Sequence, residues 1–593
     1  MKLNYKRTLL VGFAFFLISA FWQAYDTIIP LMLTNKFGLP QTWSGVIMSL
    51  DNILALFMLP LFGALSDKKD TRFGKRTPFI VIGAVAAIVC FISLTFVDNA
   101  QLNKIREGST EVYWSQTEMR DGKEEYILVE NKEYNNITNS GVAESYTVRD
   151  YAARVLLGKN TPFNELTAEE QLRVEQWYKN NLDFDTKYYY DKVTDTYTLV
   201  GEETVLPDGA RTTNAYSSLV SDAESQFAAT VMKTNWWILL IFIVVLLLTL
   251  ISMATFRSPA VALMPDVTVK PLRSKGNAII NLMGTAGGIL VLLLGMLFGT
   301  GKVRNQIMSY TWFVVSVCGI MLTALIVFIF TVKEKKWNAE MLAKQAELDA
   351  EEEAEKTEVK ADEAVVNQTA EGGSEVAVDE ATTPKKERLP KDKLVSLILI
   401  LASVALWFTG YNAITSKYSV YATNVLNKDY NTTLLIAQAA AVISYIPVGM
   451  LASKIGRKKS ILIGVGLLTL AFGGAIFINA SSPTALISVL FALAGIAWAT
   501  INVNSFPMVV ELAKGPNIGQ YTGYYYTASM AAQVITPILS GALMDAFGSM
   551  SVLFPYATIF VAMSFVTMLF VRHGDSRPDA PKDKMEMLAG ADD

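Results

Sequence analysis

The chain of 593 residues is dominated by about twelve uninterrupted apolar runs, most of them 18 residues or longer. A helix of that length crosses the hydrocarbon core of a bilayer, which is roughly 30 Å thick. Charged residues make up only 18% of the chain, far less than the surface of a soluble multidomain protein needs. The sequence therefore predicts an all-α polytopic membrane protein. The predicted spans are residues 8–33, 42–65, 76–97, 235–264, 276–300, 307–332, 393–423, 432–454, 459–479, 484–511, 518–545 and 549–571.

Cationic residues alternate between the loops. The loops after spans 2, 4, 6 and 8 are rich in Lys and Arg, whereas the loops between them carry few. By the positive-inside rule we expect both termini in the cytoplasm and the protein in the cell membrane. The first run follows Lys2, Lys6 and Arg7 but has no clear cleavage site, so we interpret it as a span rather than a signal peptide.

Two polar segments interrupt the short loops. Residues 99–234 hold 23 acidic and 14 basic residues, a capping box from Thr167 to Glu170, and a hairpin pattern at 188–200, so we expect a small α+β extracytoplasmic cap. Residues 338–392 hold few large apolar side chains, which predicts a linker with a helix, if any, at its start. The predicted domains are 1–98 and 235–332 (first bundle), 99–234 (insert), 333–392 (acidic cytoplasmic linker), 393–572 (second bundle) and 573–593 (cytoplasmic tail).

The six spans before the linker and the six after it carry matching motifs. Repeats of this kind are typical of transporters built from two related bundles that hold the substrate between them near the membrane midplane. We therefore expect two pseudo-symmetric six-helix bundles. The matched positions are Tyr25-Asp26 with Tyr411-Asn412, Pro60 with Pro447, and Asp266 with Glu511.

A charged segment, "GALSDKKDTRFGKRTPFI" at residues 63–80, connects spans 2 and 3, and a weaker copy, "GMLASKIGRKKSILIG", follows span 8 at 449–464. Any Lys/Arg cluster would anchor the topology. The form G-x-L-S-D-(x)n-G-[KR]-R, however, resembles the signature of the major facilitator superfamily. That resemblance implies a gate whose ion pairs form in one access state and break in the other. Because Lys454 replaces Asp67 in the second copy, we expect unequal gating. The candidate gate residues are Gly63, Asp67, Arg72, Gly74, Arg76, Asp266, Arg273 and Glu511.

The segments "GALSDKKDTRFGKRTPFI" and "ALMPDVTVKPLRSKGNAI" are similar to one branch of that superfamily, the glycoside–pentoside–hexuronide cation symporters with their sucrose-transporter-like members. The resemblance covers about 1–98 and 235–575, is specific in the first half only, and implies coupled transport of a sugar and a cation. Some sodium-coupled members carry two acids about one turn apart in span 2. Here Ala55 and Leu56 occupy the turn after Asp51, which weakens the case for sodium, and the outer insert is not part of the usual pattern.

Acidic residues inside a span cost about 2.5–3.5 kcal/mol each on insertion scales, so Asp26 and Asp51 are functional candidates. A carboxylate removed from water between helices can take up a proton near neutral pH, and a nearby arginine opposes that uptake. One hypothesis makes one or both of them the coupling-ion site, with protons favoured over sodium. The other makes them structural partners of Arg257, the deeply placed cation of span 4. Both can hold.

Sugar sites need amides and charged groups for hydrogen bonds and aromatic rings for stacking. Amides and aromatics occur in the spans of both halves, although each one alone is more often a packing residue, an interface anchor or a contact between helices. The candidate substrate-binding residues are Trp22, Gln23, Tyr25, Asn52, Asn281, Trp407, Tyr411, Asn412, Gln438, Trp498, Asn502, Asn504 and Gln533.

We therefore predict a monomeric secondary active transporter that carries a glycoside or oligosaccharide together with a proton or, second, sodium. The alternatives are an exporter or facilitator of another solute and a sugar sensor or membrane enzyme that acts through the insert. The insert lacks His and Cys and has no nucleophile motif, and the chain has no ATP-binding P-loop. With one His and two Cys in spans or tail, we expect no resident metal, cofactor or nucleic-acid partner.

Overall fold

The computed structural model of the protein describes most of the membrane part and scattered pieces of the insert. The described residues are 3–113, 116–120, 123–127, 134–137, 143–146, 157, 161–180, 187–191, 196–199, 212–214, 228, 231–302, 307–350, 390–426, 428–480, 482–512 and 518–573. The predicted linker beyond residue 350 and the tail beyond residue 573 lie outside them.

Six long helices form the first half. Because they are apolar over most of their length, they satisfy their backbone hydrogen bonds internally, as a bilayer requires. Their order follows the predicted spans. They are α1 (Tyr5–Leu31, continued by a π-helical turn, Met32–Lys36), α2 (Gln41–Lys68), α3 (Thr77–Tyr113), α5 (Trp236–Val267), α6 (Arg273–Phe298) and α7 (Thr311–Thr331).

Six further helices form the second half. One of them bends by 51° between Tyr445 and Pro447, because proline cannot donate to the preceding turn. Counted with this bent helix, the described residues contain up to twelve helices long and apolar enough to cross a membrane. The all-α polytopic prediction is confirmed. The helices are α9 (Lys391–Asn424), α10 (Tyr430–Ile455), α11 (Arg457–Ala475), α12 (Thr484–Val510), α13 (Ile518–Phe547) and α14 (Leu553–Leu569).

The two halves repeat the same packing. In the first half the main helix pairs are α1–α6, α3–α5, α2–α5, α1–α7 and α3–α7. The pairs α9–α13, α11–α12, α10–α12, α9–α14 and α11–α14 in the second half correspond to them one by one. The halves meet through the helix pairs α2–α13, α6–α10 and α1–α9. Because α2 corresponds to α10 and α6 to α13, the first two of these pairs are equivalent contacts related by the pseudo-symmetry. The predicted pseudo-symmetry of the bundles is therefore confirmed.

The insert contains both strands and helix in its described parts. Helix α4 (Ala168–Asn180) starts at the predicted capping box, in which the Glu170 N–H donates to Thr167 Oγ1 and the Thr167 N–H donates to the Glu170 carboxylate. A hairpin is also present where predicted, although a single compact cap stays a prediction. The strand pairs are β1 (Gln116–Arg120) with β2 (Lys123–Ile127), β3 (Tyr134–Ile137) with β4 (Ala143–Tyr146), and β5 (Lys187–Asp191) with both β6 (Thr196–Leu199) and β7 (Thr212–Asn214).

One expected element boundary is wrong. Helix α3 runs well beyond the predicted residue 97, because Asp98 forms a fully buried ion pair with Lys36 and the Gln101 side chain donates to the Lys36 carbonyl at 3.0 Å. Lys36 is thus fully buried. The start of the predicted linker is helical, as the sequence allowed: residues 334–350 form a helix, α8, that buries Trp337 and Met341 against the first half.

The helix ends lie at two levels. We call the level that holds residues 69–76 and the start of α11 the basic end, and the level that holds Lys36 and the start of α2 the opposite end. The polar contacts described between the halves lie at the opposite end or somewhat below it. They are Asn35–Asn424, Thr300–Tyr430, Thr300–Asn431, Gln41–Lys417, Gln41–Asp545, Thr42–Asp545 and Gln23–Gln438. The halves are therefore closed on each other at the opposite end.

Glycine permits a close backbone approach between the halves. A Cβ atom at Gly541 in α13 would lie 2.2 Å from the backbone carbonyl oxygen of Gln41 in α2. Backbone atoms cannot move aside as a flexible side chain can. Any side chain at position 541 therefore forces α2 and α13 apart.

We predict that Gly541→Ala loosens the opposite end. Overpacking costs about 1–3 kcal/mol, so the ratio of closed to open molecules falls by about 5- to 150-fold. The measurement is disulfide formation between cysteines placed at Asn35 and Asn424, whose side chains are hydrogen-bonded at 2.8 Å, with the native Cys90 and Cys318 replaced by Ser. Gly319→Ala is the control, since a Cβ there meets nothing within 4 Å. An unchanged cross-linking rate in Gly541→Ala would contradict the prediction.

Candidate functional site

A cavity of about 180 Å³ lies between the halves. Asp26 is ten residues before the end of the first span, and Asp51 is ten residues after the start of α2. At 1.5 Å per residue, both carboxylates lie about 15 Å below the opposite end, inside the hydrocarbon region. The cavity therefore lies within the membrane-spanning part. Its lining residues are Trp22, Asp26, Met48, Asp51, Asn52, Arg257, Asn412, Thr415, Ser416, Gln533 and Pro537.

The structure brings the three predicted charged residues together in this cavity. Asp26, Asp51 and Arg257 come from α1, α2 and α5, and each interacts electrostatically with the other two. In the described part of the chain, no contact of 4.0 Å or less joins Arg257 to either carboxylate. The Asp51 carboxylate accepts the backbone N–H and the side-chain amide of Asn52, at 2.6 and 2.7 Å. The direct structural ion pair is therefore absent in this state, and the charges share the cavity instead.

Several polar atoms near the cavity are buried without a hydrogen-bond partner among the described residues. They include Trp22 Nε1 and Asn412 Nδ2 in the lining and the Tyr25 hydroxyl beside it. Buried polar groups are nearly always hydrogen-bonded, because an unpaired one keeps its full desolvation cost. These atoms are thus available to a ligand that offers both donors and acceptors.

Four other candidates form contacts between or within the halves. Gln438 of α10 donates to Gln23 of α1 at 2.5 Å, which joins the halves at about the depth of the cavity. Tyr411 and Trp498 stack with their ring centroids 3.5 Å apart and their planes 4° apart. In this state the two rings cover each other, so neither presents that face to a ligand.

The remaining candidates do not line the cavity. Trp407 and Asn504 are fully buried in the second half, and the Asn504 amide donates to its own helix at the Thr500 carbonyl. Tyr25 packs against Phe21. Amides and aromatic rings inside spans suggested these positions, but they occur equally at packed helix faces. Two more predicted substrate-binding residues, Asn281 and Asn502, also lie outside the lining. Conversely, four residues line the cavity although the sequence reasoning did not name them: Met48, Thr415, Ser416 and Pro537.

Arg76 is the centre of the predicted gate at the basic end. Its guanidinium pairs with Asp67 at 2.5 Å and with Asp266 at 2.8 Å, and it also donates to Ser66 Oγ. Burial opposes the charge of Arg76, but the hydrogen bond and charge of Asp266, with those of Asp67, outweigh it and raise its pKa. Three of the predicted gate residues thus form one network inside the first half.

Glu334, at the start of α8, contacts the predicted gate segment, and the sequence did not reveal this contact. Its carboxylate accepts the backbone N–H groups of Lys75, Arg76 and Thr77 at 2.7–2.8 Å, and the Thr77 hydroxyl at 2.7 Å. A carboxylate at the start of α3 is stabilised by the free N–H groups and the helix dipole. A Cβ at Gly74, where φ is +119°, would lie 2.3 Å from the Glu334 carboxyl carbon, so only glycine fits.

The other gate candidates have separate contacts. Arg457 pairs with Glu511 at 2.5 Å, which repeats in the second half the pairing of Arg76 with Asp266. Arg273 donates to the Pro265 and Thr268 carbonyls at the end of α5. A Cβ at Gly63 would lie 3.0 Å from Ser258 Oγ, and Arg72 stacks on Phe73.

Two further charged residues close the opposite end. The Asp545 carboxylate accepts the Gln41 and Thr42 backbone N–H groups at 2.8 and 2.7 Å, at the start of α2. Lys417, fully buried in α9, donates to the Gln41 carbonyl at 2.8 Å. A lysine inside an apolar run was a visible signal that the sequence reasoning did not use.

The helices and their repeated packing agree with the family comparison. A family model described as Major Facilitator Superfamily matches residues 225–513 and 429–589, and one described as MFS/sugar transport protein matches residues 10–103. The chain belongs to the Major Facilitator Superfamily.

Curated relatives match over short stretches. A sucrose transport protein, SUC4, from Arabidopsis thaliana is 43% identical over 52 residues, which is 9% of this chain and 10% of the relative. Proton-associated sugar transporter A from Homo sapiens is 38% identical over 66 residues, 11% of this chain and 8% of the relative. The chain therefore covers only about a tenth of the length of these relatives.

Solved structures match over the whole chain but at low identity. The crystal structure of a D-xylose-proton symporter has a TM-score of 0.51 at 12% identity and covers 96% of this chain and 99% of its own. The structure of the xylose transporter XylE from E. coli in its inward open conformation has a TM-score of 0.52 at 12% identity, with 99% of both chains covered. These matches establish the fold.

We predict that Glu334→Gln destabilises the basic end. Glutamine keeps an acceptor but loses the charge that stabilises three backbone N–H groups, so we expect a loss of about 1–3 kcal/mol in the free energy of unfolding. Thermal unfolding of the purified protein measures it. Glu340→Gln, an exposed position on the same helix, is the control and should change stability by less than about 1 kcal/mol. Equal unfolding midpoints for the two variants would show that the Glu334 charge is not needed.

Proposed function

We propose that the protein is a secondary active transporter that carries a glycoside or oligosaccharide together with a proton by alternating access. It acts as a monomer in the cell membrane, with both termini in the cytoplasm. The observation that carries the proposal is the cavity between two repeated bundles, which holds two carboxylates and one guanidinium within the membrane. The bundles are closed at the opposite end in this state, and their separation there would expose the same cavity to the other side.

The charges favour a role in coupling. Each charged residue in a span is costly, by about 2.5–3.5 kcal/mol on insertion scales, and a direct ion pair would offset part of that cost. Arg257 makes no such pair with Asp26 or Asp51 among the described residues. A carboxylate that lies in a cavity inside the membrane without a direct cationic partner is suited to gain and lose a proton.

A proton fits the cavity better than sodium. Sodium needs a cage of several oxygen atoms, whereas the atoms around the Asp51 carboxylate are N–H donors of Asn52. N–H donors repel a cation but stabilise a carboxylate. The human relative is named a proton-associated sugar transporter, which supports this choice.

A saccharide fits the rest of the lining. The second half contributes Asn412, Thr415, Ser416 and Gln533, whose amides and hydroxyls both donate and accept hydrogen bonds. The unpaired Trp22 Nε1 and Asn412 Nδ2 supply further donors. Sugar hydroxyls offer the complementary groups in several directions, and the relatives named above are sugar transporters.

The other parts of the chain have proposed places in this cycle. Residues 99–234 form an outer cap that controls access to the transporter, and the remainder of residues 333–392 after α8 is a cytoplasmic linker between the bundles. The Arg76 and Arg457 networks act as unequal gates at the basic end, since Asp67 pairs with Arg76 in the first half and Lys454 occupies the equivalent position in the second.

We predict that neutralising the coupling carboxylate separates accumulation from exchange. Asp26→Asn or Asp51→Asn, or the two together, should abolish saccharide accumulation driven by a proton gradient in proteoliposomes, because no proton is then bound and released. Exchange of labelled for unlabelled saccharide, which needs no net proton movement, should stay within about tenfold of the wild type.

Asp392→Asn, an exposed carboxylate at the start of α9, is the matched control and should keep both activities. Accumulation by the wild type under a sodium gradient at fixed pH, with no response to a proton gradient, would contradict proton coupling.

A further inference from the structure

Arg257 is held by an aromatic ring rather than by a carboxylate. Its guanidinium carbon lies 5.5 Å from the centre of the Trp22 ring, a cation–π distance. Both side chains line the cavity together with Asp26 and Asp51. The guanidinium thus has two nearby anions available but contacts the ring face.

The Trp22 ring is fixed in place by its neighbours on α1. Phe21 and Tyr25 meet it edge-on, with centroid distances of 5.4 and 5.3 Å. Trp22 and Asp26 are four residues apart, so they lie on the same face of the helix, one turn from each other. A cation attached to the ring is therefore kept beside Asp26 but not on it.

We propose that Trp22 is a positioning residue that holds Arg257 away from Asp26 and Asp51 and thereby leaves a carboxylate free to bind the coupling proton. This inference rests on the proposed function and deepens it. Without the ring, the guanidinium would be free to pair directly with a carboxylate, and a paired carboxylate binds a proton more weakly. Trp22 would then set the pH range in which the transporter is coupled.

The saccharide would use the same ring. Trp22 Nε1 is buried, lines the cavity and has no hydrogen-bond partner among the described residues. A saccharide hydroxyl that accepts from this N–H would lock the ring in its present position. Saccharide binding and proton binding would therefore favour each other, as linkage requires in both directions.

The charged and titratable groups that face this cluster come from three helices of the first half. They are Asp26 and Tyr25 on α1, Asp51 on α2 and Arg257 on α5. The second half contributes only neutral polar and apolar side chains to the lining that the structure describes, Asn412, Thr415, Ser416, Gln533 and Pro537. A change at Trp22 therefore acts on this cluster by altering whether the Arg257 guanidinium can reach a carboxylate.

The test measures carboxylate protonation directly. Purified protein is labelled with dicyclohexylcarbodiimide, which reacts with protonated carboxyl groups in apolar surroundings, and labelling of the Asp26 and Asp51 peptides is followed by mass spectrometry across pH. In Trp22→Leu we expect the midpoint of labelling to move toward acid by about one pH unit, that is, about tenfold weaker proton binding. Trp22→Phe, which keeps a ring face, should stay closer to the wild type than Trp22→Leu does.

Two further variants separate positioning from packing. In an Arg257→Gln background, Trp22→Leu should produce no further shift, since there is no cation left to release. Trp312→Leu, which removes an exposed indole from α7, should leave the midpoint unchanged.

The inference is overturned if Trp22→Leu labels with the wild-type midpoint, if the shift persists without Arg257, or if neither wild-type carboxylate is labelled at any pH. Labelling needs no saccharide, so these outcomes are independent of which solute is transported. Failure of the proposed function would show instead as a wild-type protein that accumulates no saccharide under a proton gradient, whatever its labelling profile.

Discussion

The contact between the start of α2 and the second half holds the two bundles closed at the opposite end. The Gln41 N–H donates to Asp545 and the Gln41 carbonyl accepts from Lys417, so both polar groups of one peptide residue are held by the other bundle. These side chains reach Gln41 only because Gly541 lets the two backbones approach. Lys417 is fully buried and would be costly without this partner. The closed opposite end therefore depends on a few charge-assisted hydrogen bonds over a tight backbone contact, an arrangement that can open as a unit.

The cavity beneath this contact explains why charges are tolerated inside the membrane. A guanidinium and two carboxylates in one small space interact strongly, because the effective dielectric constant there is far lower than in water. Their positions in α1, α2 and α5 place them all in the first half, whereas the second half lines the cavity with amides and hydroxyls. This division suggests that one bundle binds the ion and both bind the saccharide, which would couple ion binding to the relative position of the bundles.

Much of the architecture could be predicted from the sequence, because span length, positive loops and repeated motifs are local properties of the chain. The same is true of Asp26, Asp51 and Arg257, since a charge in an apolar run is conspicuous. Glu334 was not predicted because its partners, Lys75 to Thr77, are more than 250 residues away in the chain. Trp407 and Asn504 were expected in the site because composition does not tell which face of a buried helix meets the cavity and which meets a neighbouring helix.

The central claim is that saccharide and proton bind to the same cavity and strengthen each other. It is tested most directly by adding a saccharide that stabilises the purified protein to a weakly buffered solution and measuring proton uptake. The account predicts that protons are taken up as the sugar binds, up to about one per protein, and that Asp26→Asn/Asp51→Asn takes up none. Saturable saccharide binding with no proton uptake, across the whole pH range in which the protein stays folded, would contradict it.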